Sequence, residues 1–412
     1  MKNIVLLGAT GSIGDNVLSV IEQNKDSLNL YGIALNSNIS KANQIINEHS
    51  PMFVYIEEAN EILLEKSISE GSLSVLNGKA ELKELLNDSN VDVIISAISG
   101  FAGLETTLMA AKTGKVILLA NKESIVVAGD IILPLAKEHG STIIPIDSEH
   151  NAIFQCLASE KNTNDVSKII ITASGGPFEG KKLLDLKDVT QKEALNHPNW
   201  DMGSKISIDS ATLVNKCLEL IEARYLFDLN EKYFELVIHP QSIIHSIVTY
   251  IDGSSLCHMS NPDMKVPISH ALSDSDRLPI NFLEIDFSSL ELSFKNFPSD
   301  RKNLENIARE ICNVGDCHVY GSKQLGEYSR DVWSLGIQTH KHISFLTRHC
   351  QLSCTYWIGL LQHNMEYLYR ATPNSFVPNL VSSWVFVLDW SLRTFLLLPS
   401  FLLTSPHNQS MI

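Results

Sequence analysis

The stretch Gly8-Ala9-Thr10-Gly11-Ser12-Ile13-Gly14 decides how the amino-terminal part of this chain folds. It follows the apolar run Ile4–Leu7 and leads into the amphipathic stretch Asn16–Gln23. A strand, a tight glycine turn and a helix in that order let backbone N–H groups approach a pyrophosphate closely. The helix N-terminus adds a favourable dipole for the anion. A glycine triplet alone is weak evidence, since an ordinary glycine-rich turn carries the same letters. Its strand–turn–helix context, at the start of a βαβ pattern, is what favours a nucleotide site.

Working outward, apolar runs recur at Tyr31–Leu35, Phe53–Tyr55, Val91–Ala97, Val116–Leu119 and Ile143–Ile146. Helix-length stretches such as Glu58–Glu70 and Glu123–Glu138 separate them. This alternation predicts a parallel sheet covered by helices on both faces, because strands buried on both faces read as unbroken apolar runs. At the end of the second run the chain reads Asn36-Ser37-Asn38, with no acid. An NAD enzyme usually carries Asp or Glu there for the ribose hydroxyls, whereas a 2′-phosphate is repelled by an acid and held by hydroxyl and amide donors. NADP is therefore favoured over NAD, the alternative being a merely polar loop.

The rhythm changes after about residue 150. Lys168–Ala173 reads as a strand ending in Ser174-Gly175-Gly176-Pro177, and a polar loop containing His197-Pro198-Asn199-Trp200 runs on to about 205. Ser210–Phe227 has helical spacing. Phe234–His239, Ile243–Ile251 and Ser254–Met259 read as strands, with Asp252-Gly253 as a hairpin turn between the last two. The expected fold class is α/β: a Rossmann-like NADP-binding domain over 1–150, an α+β catalytic domain over 151–290, the start of a linker over 291–312, and a tail of different composition over 313–412.

Asp147-Ser148-Glu149-His150-Asn151 follows the strand Ile143–Ile146. Two carboxylates in an irregular turn can converge on a hard cation, and Mg²⁺ or Mn²⁺ suits such oxygen ligands better than zinc. The competing reading is a helix cap, with Asp147 or Ser148 capping and acids in the first turn. Asn215-Lys216-Cys217-Leu218-Glu219 adds a third carboxylate with a lysine close by, Asn215 and Glu219 sharing one helix face. Taken alone that face is a solvated one. Ala120-Asn121-Lys122-Glu123-Ser124 stands at a strand's carboxyl end, where open α/β sheets bind ligands; Lys122 reads equally well as a surface lysine. Ser174, Ser210, Lys216 and His245 offer polar groups that suit a phosphorylated polyol.

GATGSIG, LLANKES, PIDSEHNAIFQ, ITASGGPF, HPNWDMG, KISIDSATLVNK, IHPQSIIHS and NPDMKVPI occur in that order over residues 1 to roughly 311. Together they resemble the 1-deoxy-D-xylulose 5-phosphate reductoisomerase family. The resemblance implies isomerisation and NADPH reduction of 1-deoxy-D-xylulose 5-phosphate to 2-C-methyl-D-erythritol 4-phosphate, in non-mevalonate isoprenoid biosynthesis. It implies that Asp147, Glu149 and Glu219 hold a divalent metal (Mg²⁺ or Mn²⁺, with Co²⁺ a further candidate) and, with Lys122, carry the catalysis. Lys122, Ser148, Ser174, His197, Ser210, Asn215 and Lys216 are implied to bind the substrate and its phosphate alongside Glu149 and Glu219. Trp200 would sit in a loop closing over the site, and His245 and Met264 would line it. Thr10, Gly11, Ser12, Ile13, Asn36, Ser37, Asn38, Asn121, Glu123 and Gly203 are implied to contact NADPH. The family is commonly homodimeric. Two departures stand out: the family often has a basic residue where Ser37 stands, and glycine where Cys217 stands, which puts bulk beside the site.

The bulk numbers exclude other classes. A net charge of −15 over 412 residues leaves no basic surplus for nucleic acid. Met1-Lys2-Asn3 leads straight into the first strand, without the apolar or Arg/Ser-rich leader of an exported or imported protein, so a cytoplasmic location is expected. Seven cysteines in no disulfide pattern agree. Among them Cys156 is the one candidate nucleophile for a rival NADP-dependent reductase of the semialdehyde dehydrogenase kind, and it lacks a convincing partner. A further alternative is an inactive chain that binds NADPH only.

The tail reads differently. Of 47 acidic residues only five lie beyond residue 312, while four of the five tryptophans do. After Ala308-Arg309-Glu310 the family continues with a helical domain, whereas this chain reads Val314-Gly315-Asp316-Cys317-His318. Translation in a shifted frame from an indel near codons 311–317 accounts for that break; a lineage-specific domain is the alternative. The apolar stretch Trp384–Leu403 is interrupted by Asp389, Arg393 and Pro399 and is not expected to span a membrane.

Overall fold

The run that opens the chain becomes β1 (Lys2–Leu7), with Ile4 through Leu7 fully buried. The other strands of its sheet are β2 (Leu28–Leu35), β3 (Phe53–Ile56), β4 (Ser74–Leu76), β5 (Val93–Ser96), β6 (Val116–Leu119) and β7 (Thr142–Pro145). The order is β4-β3-β2-β1-β5-β6-β7, and all pairings are parallel. Sequence order reverses between β1 and β5, which opens a crevice at their carboxyl ends. Among the described residues the helices of this part are α1 (Ser12–Gln23), α2 (Ile39–His49), α3 (Gly78–Asn87), α4 (Gly103–Ala111) and α5 (Lys122–His139), the last kinked at Ala128. The expected α/β class with a parallel Rossmann-like sheet is what forms.

Two glycines place α1. Gly8 takes φ +90°, and a Cβ there would lie 2.5 Å from the carbonyl oxygen of Ala97 on the neighbouring strand's exit. A Cβ on Gly14 would lie 2.4 Å from the carbonyl oxygen of Ala9. The turn therefore lies against β5 and the helix against the turn more tightly than any side chain allows. The N–H groups of Gly8 and Ala9 both donate to Ala34 O, which sets the glycine turn beside the end of β2.

The computed structural model describes residues 1–57, 73–158, 163–186, 188–274 and 276–314, all within one compact unit, Met1–Thr339. The expected helix Glu58–Glu70, the tail from residue 315 and the stretch Trp384–Leu403 lie outside the described residues. Among the described residues no helix is long and apolar enough to cross a membrane.

After α6 (Ser148–Leu157) comes a second, mixed sheet. Its strands are β8 (Val166–Ala173), β9 (Phe234–Ile238), β10 (Ile244–Tyr250), β11 (Ser255–Met259) and β12 (Lys295–Asn296), in the order β11-β10-β8-β9-β12. The expected hairpin is present, with Gly253 at φ +86° between β10 and β11. The remaining helices are α7 (Gln191–Leu195), α8 (Ser204–Thr212), α9 (Val214–Leu226), α10 (Lys265–Leu272) and α11 (Lys302–Val314). One apolar core joins the two sheets, running from Val5 and Ile94 through Ile125 and Leu220 to Phe234 and Val248.

One expectation needs correction. Ser210–Phe227 is not a single helix: Leu213 takes φ +65°, ψ 8° and divides α8 from α9. A left-handed leucine costs on the order of 1–2 kcal/mol, and the burial of Leu213 to 2% exposure offsets it. The break lets α9 start in a new direction, with Asn215, Lys216 and Glu219 turned into the cleft that Leu213 also lines.

Candidate active site

A cleft enclosing about 920 Å³, part of it open to solvent, lies between the carboxyl ends of the first sheet, α9 and the loop after α7. It brings together Ser12 and Ile13, Lys122, Asp147, Ser148 and Glu149, Ser174, His197 and Trp200, Ser210, Asn215, Lys216, Glu219 and Met264. These residues come from both sheets' surroundings. Asn16, Asp201, Met202 and Ile206 also line it. Sequence reasoning missed these four; Asp201 and Met202 stand inside the HPNWDMG block, whose continuity was the available signal.

The floor is a cluster of charge. The ligand oxygens of Asp147, Glu149 and Glu219 all lie within 4.8 Å of one another. Lys122 Nζ stands 2.8 Å from Asp147 Oδ2 and 3.1 Å from Glu219 Oε1, and donates to Asn215 Oδ1 at 2.7 Å. Lys216 Nζ stands 2.7 Å from Glu149 Oε1 and 2.6 Å from Glu219 Oε2. Lys122, Lys216 and Glu219 are each at most 4% exposed. Lys122 is thus no surface lysine, and the face of α9 is not a solvated one.

Both readings of Asp147 meet in the geometry. It occupies the N-cap position of α6, as the capping alternative expects, yet its side chain makes no cap bond. The carboxylate turns to Lys122 instead, and its Oδ1 is buried without a hydrogen-bond donor among the described residues. Burial opposes charge on Asp147, but Lys122 and His150 outweigh it and hold the carboxyl well below the usual range. Burial and the adjacent Glu149 push Glu219 the other way, above that range, against both lysines. A trio of converging hard oxygens, one orphaned and one resisting ionisation, fits a small divalent cation, which would relieve both.

Above the floor, His197 is fixed in one tautomer. Its Nδ1 accepts the backbone N–H of Asn199 at 3.2 Å and of Trp200 at 3.0 Å. Its Nε2 therefore carries the proton toward Ser174 Oγ at 2.9 Å. Burial, then Lys216, push His197 down to about 4, so the ring is neutral. Trp200 leans on His245, ring centroids 5.9 Å apart, and His245 Nε2 meets Ser260 Oγ at 2.9 Å. His245 is buried behind Trp200 and does not itself line the cleft.

Of the ten residues expected at a dinucleotide, Ser12 and Ile13 line the cleft and the other eight do not. α1 begins at Gly11 with no side-chain cap, and Ser12 and Ile13 face the cleft, leaving the first-turn N–H groups available to an anion. Asn36 and Ser37 are exposed just past β2, while Asn38 caps α2 through Lys41 N–H at 3.1 Å. The amide of Asn121 is engaged within the protein: Oδ1 accepts from Ser124 N–H, and Nδ2 donates to Ile98 O and Gly100 O, both at 2.8 Å. Glu123 pairs with Lys205, which also reaches Asp209 at 2.8 Å. Gly203 is the N-cap of α8, and Thr10 and Gly11 form the turn.

Two family models match: 1-deoxy-D-xylulose 5-phosphate reductoisomerase over residues 4–129, and the C-terminal domain of that enzyme over 143–227. The reductoisomerase of Acinetobacter baylyi is 43% identical over 328 residues, covering 76% of this chain and 82% of that protein. That of Haemophilus ducreyi is 44% identical over 326 residues, covering 75% and 82%. The chain belongs to the 1-deoxy-D-xylulose 5-phosphate reductoisomerase family. A crystal structure of DOX-P reductoisomerase with NADPH, fosmidomycin and magnesium is similar at TM-score 0.73 and 38% identity, covering 81% of this chain and 89% of that one. The Zymomonas mobilis reductoisomerase with NADPH is similar at TM-score 0.70 and 34% identity, covering 81% and 95%. Of the departures from the reductoisomerase pattern, Cys217 is fully buried in the core and absent from the cleft lining. Two positions along a helix rotate a side chain about 200°, so Cys217 points away from the face bearing Asn215 and Glu219.

Proposed function

We propose that this chain converts 1-deoxy-D-xylulose 5-phosphate to 2-C-methyl-D-erythritol 4-phosphate with NADPH and Mg²⁺ or Mn²⁺. The observation that carries the reading is the convergence of Asp147, Glu149 and Glu219 beside the uncapped start of α1. Asp147, Glu149 and Glu219 would hold the divalent cation, which would supply Lewis acidity, and bound NADPH would supply hydride. The chain's own residues do the rest. Lys122 and Lys216 put positive charge where oxyanion character develops. Ser174, the neutral His197, Ser210 and Asn215 offer the donors that hold a phosphate and hydroxyls. Trp200, backed by His245, covers the cleft and excludes water from the rearranged carbonyl compound before reduction.

The test is oxidation of NADPH by the purified chain with 1-deoxy-D-xylulose 5-phosphate and Mg²⁺ or Mn²⁺. NADPH binding without turnover would favour the inactive alternative instead. The domain assignment 1–150, 151–290 and 291–312 belongs to the same reading, as do a cytoplasmic location and a homodimer. For the dimer, β11 is an edge strand among the described residues and carries the exposed Leu256, and the segment with exposed Phe282, Leu283 and Phe287 is tied to the chain just after it, Asn261 donating to Leu283 O at 2.7 Å. Sedimentation at monomer mass would reject the dimer. For the tail from 313 we propose the shifted-frame reading, and translating the DNA in the other two frames tests it. If neither frame gives a family-like helical tail, that reading is wrong.

A further inference from the structure

Glu222 is a buried acid that the proposed mechanism leaves unused. It is 1% exposed, lies outside the cleft lining, and follows Glu219 by three residues on the same face of α9. A carboxylate stripped of water costs several kcal/mol unless a partner compensates. The partner is His150 on α6, fully buried, with Nδ1 3.2 Å from Glu222 Oε2. The other ring nitrogen, Nε2, lies 2.9 Å from the backbone carbonyl of Glu219. A carbonyl only accepts, so Nε2 carries a proton and is hydrogen-bonded to α9; on the other side Nδ1 and Glu222 Oε2 form a close ion pair without hydrogen-bond geometry. His150 follows Glu149 directly, and its Nδ1 stands 3.7 Å from Asp147 Oδ1.

One imidazole therefore joins the turn bearing two of the metal carboxylates to the helix bearing the third. We propose that Glu222 is a positioning residue: through His150 it fixes the spacing of Asp147 and Glu149 on α6 against Glu219 on α9, and so sets the bite of the divalent-metal site. This rests on the metal assignment made above. Partners of this outer kind orient ligating groups, and their loss weakens metal binding by about 10–100-fold.

The experiment measures Mn²⁺ affinity by the EPR signal of free Mn²⁺, and NADPH affinity by fluorescence, in the full 412-residue chain. Wild type, Glu219→Gln, Glu222→Gln, His150→Asn and the Glu222→Gln/His150→Asn double variant are compared. Wild type is expected to bind Mn²⁺ and Glu219→Gln to lose it. Glu222→Gln and His150→Asn each bind Mn²⁺ about tenfold or more weakly with NADPH affinity unchanged. The double variant is no weaker than the worse single one, because the two residues act as one device. If wild type takes up no Mn²⁺, the metal assignment falls and this inference with it. If wild type binds and Glu222→Gln binds equally well, only the positioning role falls. Loss of NADPH binding together with Mn²⁺ binding in Glu222→Gln also overturns it, since Glu222 would then hold up the fold as a whole. Additive deficits in the double variant overturn the route through His150.

Discussion

Lys122 and Glu219 stand 97 positions apart in the chain, and their charged atoms meet 3.1 Å apart inside the protein. Lys122 is closer still to Asp147, at 2.8 Å, so one ammonium balances two carboxylates from different elements. Removing it leaves buried like charges facing each other, a loss of about 3–5 kcal/mol. In metal-free protein, Lys122→Met is expected to lower Tm sharply. Saturating Mn²⁺ then raises Tm more in the variant than in wild type, because the cation replaces the missing charge. Equal Mn²⁺-dependent rises in the two proteins would count against a metal at this cluster.

Glu219 contacts both lysines and sits next to Asn215. Glu219→Gln keeps the shape and removes the charge a cation needs. Metal-dependent turnover is expected to fall by at least about a hundredfold, with the NADPH dissociation constant unchanged, since Lys122, Lys216 and Asn215, the partners of Glu219, lie outside α1 and the glycine turn. Steady-state turnover and NADPH titration of the same preparation check this. Unchanged turnover would reject the assigned metal role.

The central strands of the first sheet could be read from sequence because burial on both faces leaves unbroken apolar runs, as in Ile4–Leu7 and Val116–Leu119. β4 could not: it is three residues long, pairs among the described residues with β3 alone, and buries just one side chain, Leu76. α4 is as hard to read: it begins in glycine and is rich in Thr and Ala, a weak amphipathic signal. The division at Leu213 had no local marker, because a left-handed leucine is sustained by tertiary burial and not by its own preference. At the site, Asp147, Glu149 and Glu219 were legible through the ordered blocks. His150 and Glu222 were not, since a histidine in a first helical turn and a glutamate one turn past a ligand read as ordinary helix residues. Only Leu220-Ile221 before Glu222, both fully buried, hinted that this acid points inward.

The glycine turn separates folding from binding. A Cβ on Gly14 meets backbone at 2.4 Å, whereas a Cβ on Gly11, at an ordinary φ of −88°, has its nearest neighbour, Gly8 O, at 3.5 Å. Gly14→Ala is expected to lose about 1–3 kcal/mol of stability. Gly11→Ala should keep wild-type stability within about 0.5 kcal/mol. It should still weaken NADPH roughly tenfold, by standing where the pyrophosphate meets the backbone. Denaturant titration and NADPH titration of both variants decide the matter. A Gly11→Ala protein that binds NADPH normally would move the pyrophosphate away from this turn.

The histidines give stability a two-sided dependence on pH. Burial pushes His197, His245, His258 and His270 down to about 4, helped by Lys216 for the first two and Arg277 for the last two. Unfolded histidine titrates near about 6.5. Between those values the unfolded chain binds more protons than the folded one, so the stability present above about pH 6.5 is lost as pH falls toward 4. His150 has the opposite sign. Burial opposes its charge, but Glu222 and Asp147 outweigh burial and lift it to about 9. Its contribution is full below about pH 6.5 and is lost as pH rises through 9. Tm of the metal-free protein is therefore expected to peak between the two limbs. His258→Asn with His270→Asn should flatten the acid limb, and His150→Asn the alkaline one. An acid limb unchanged by the first pair would mean that these rings are protonated in the folded protein, despite the orphaned Nδ1 atoms that both bury.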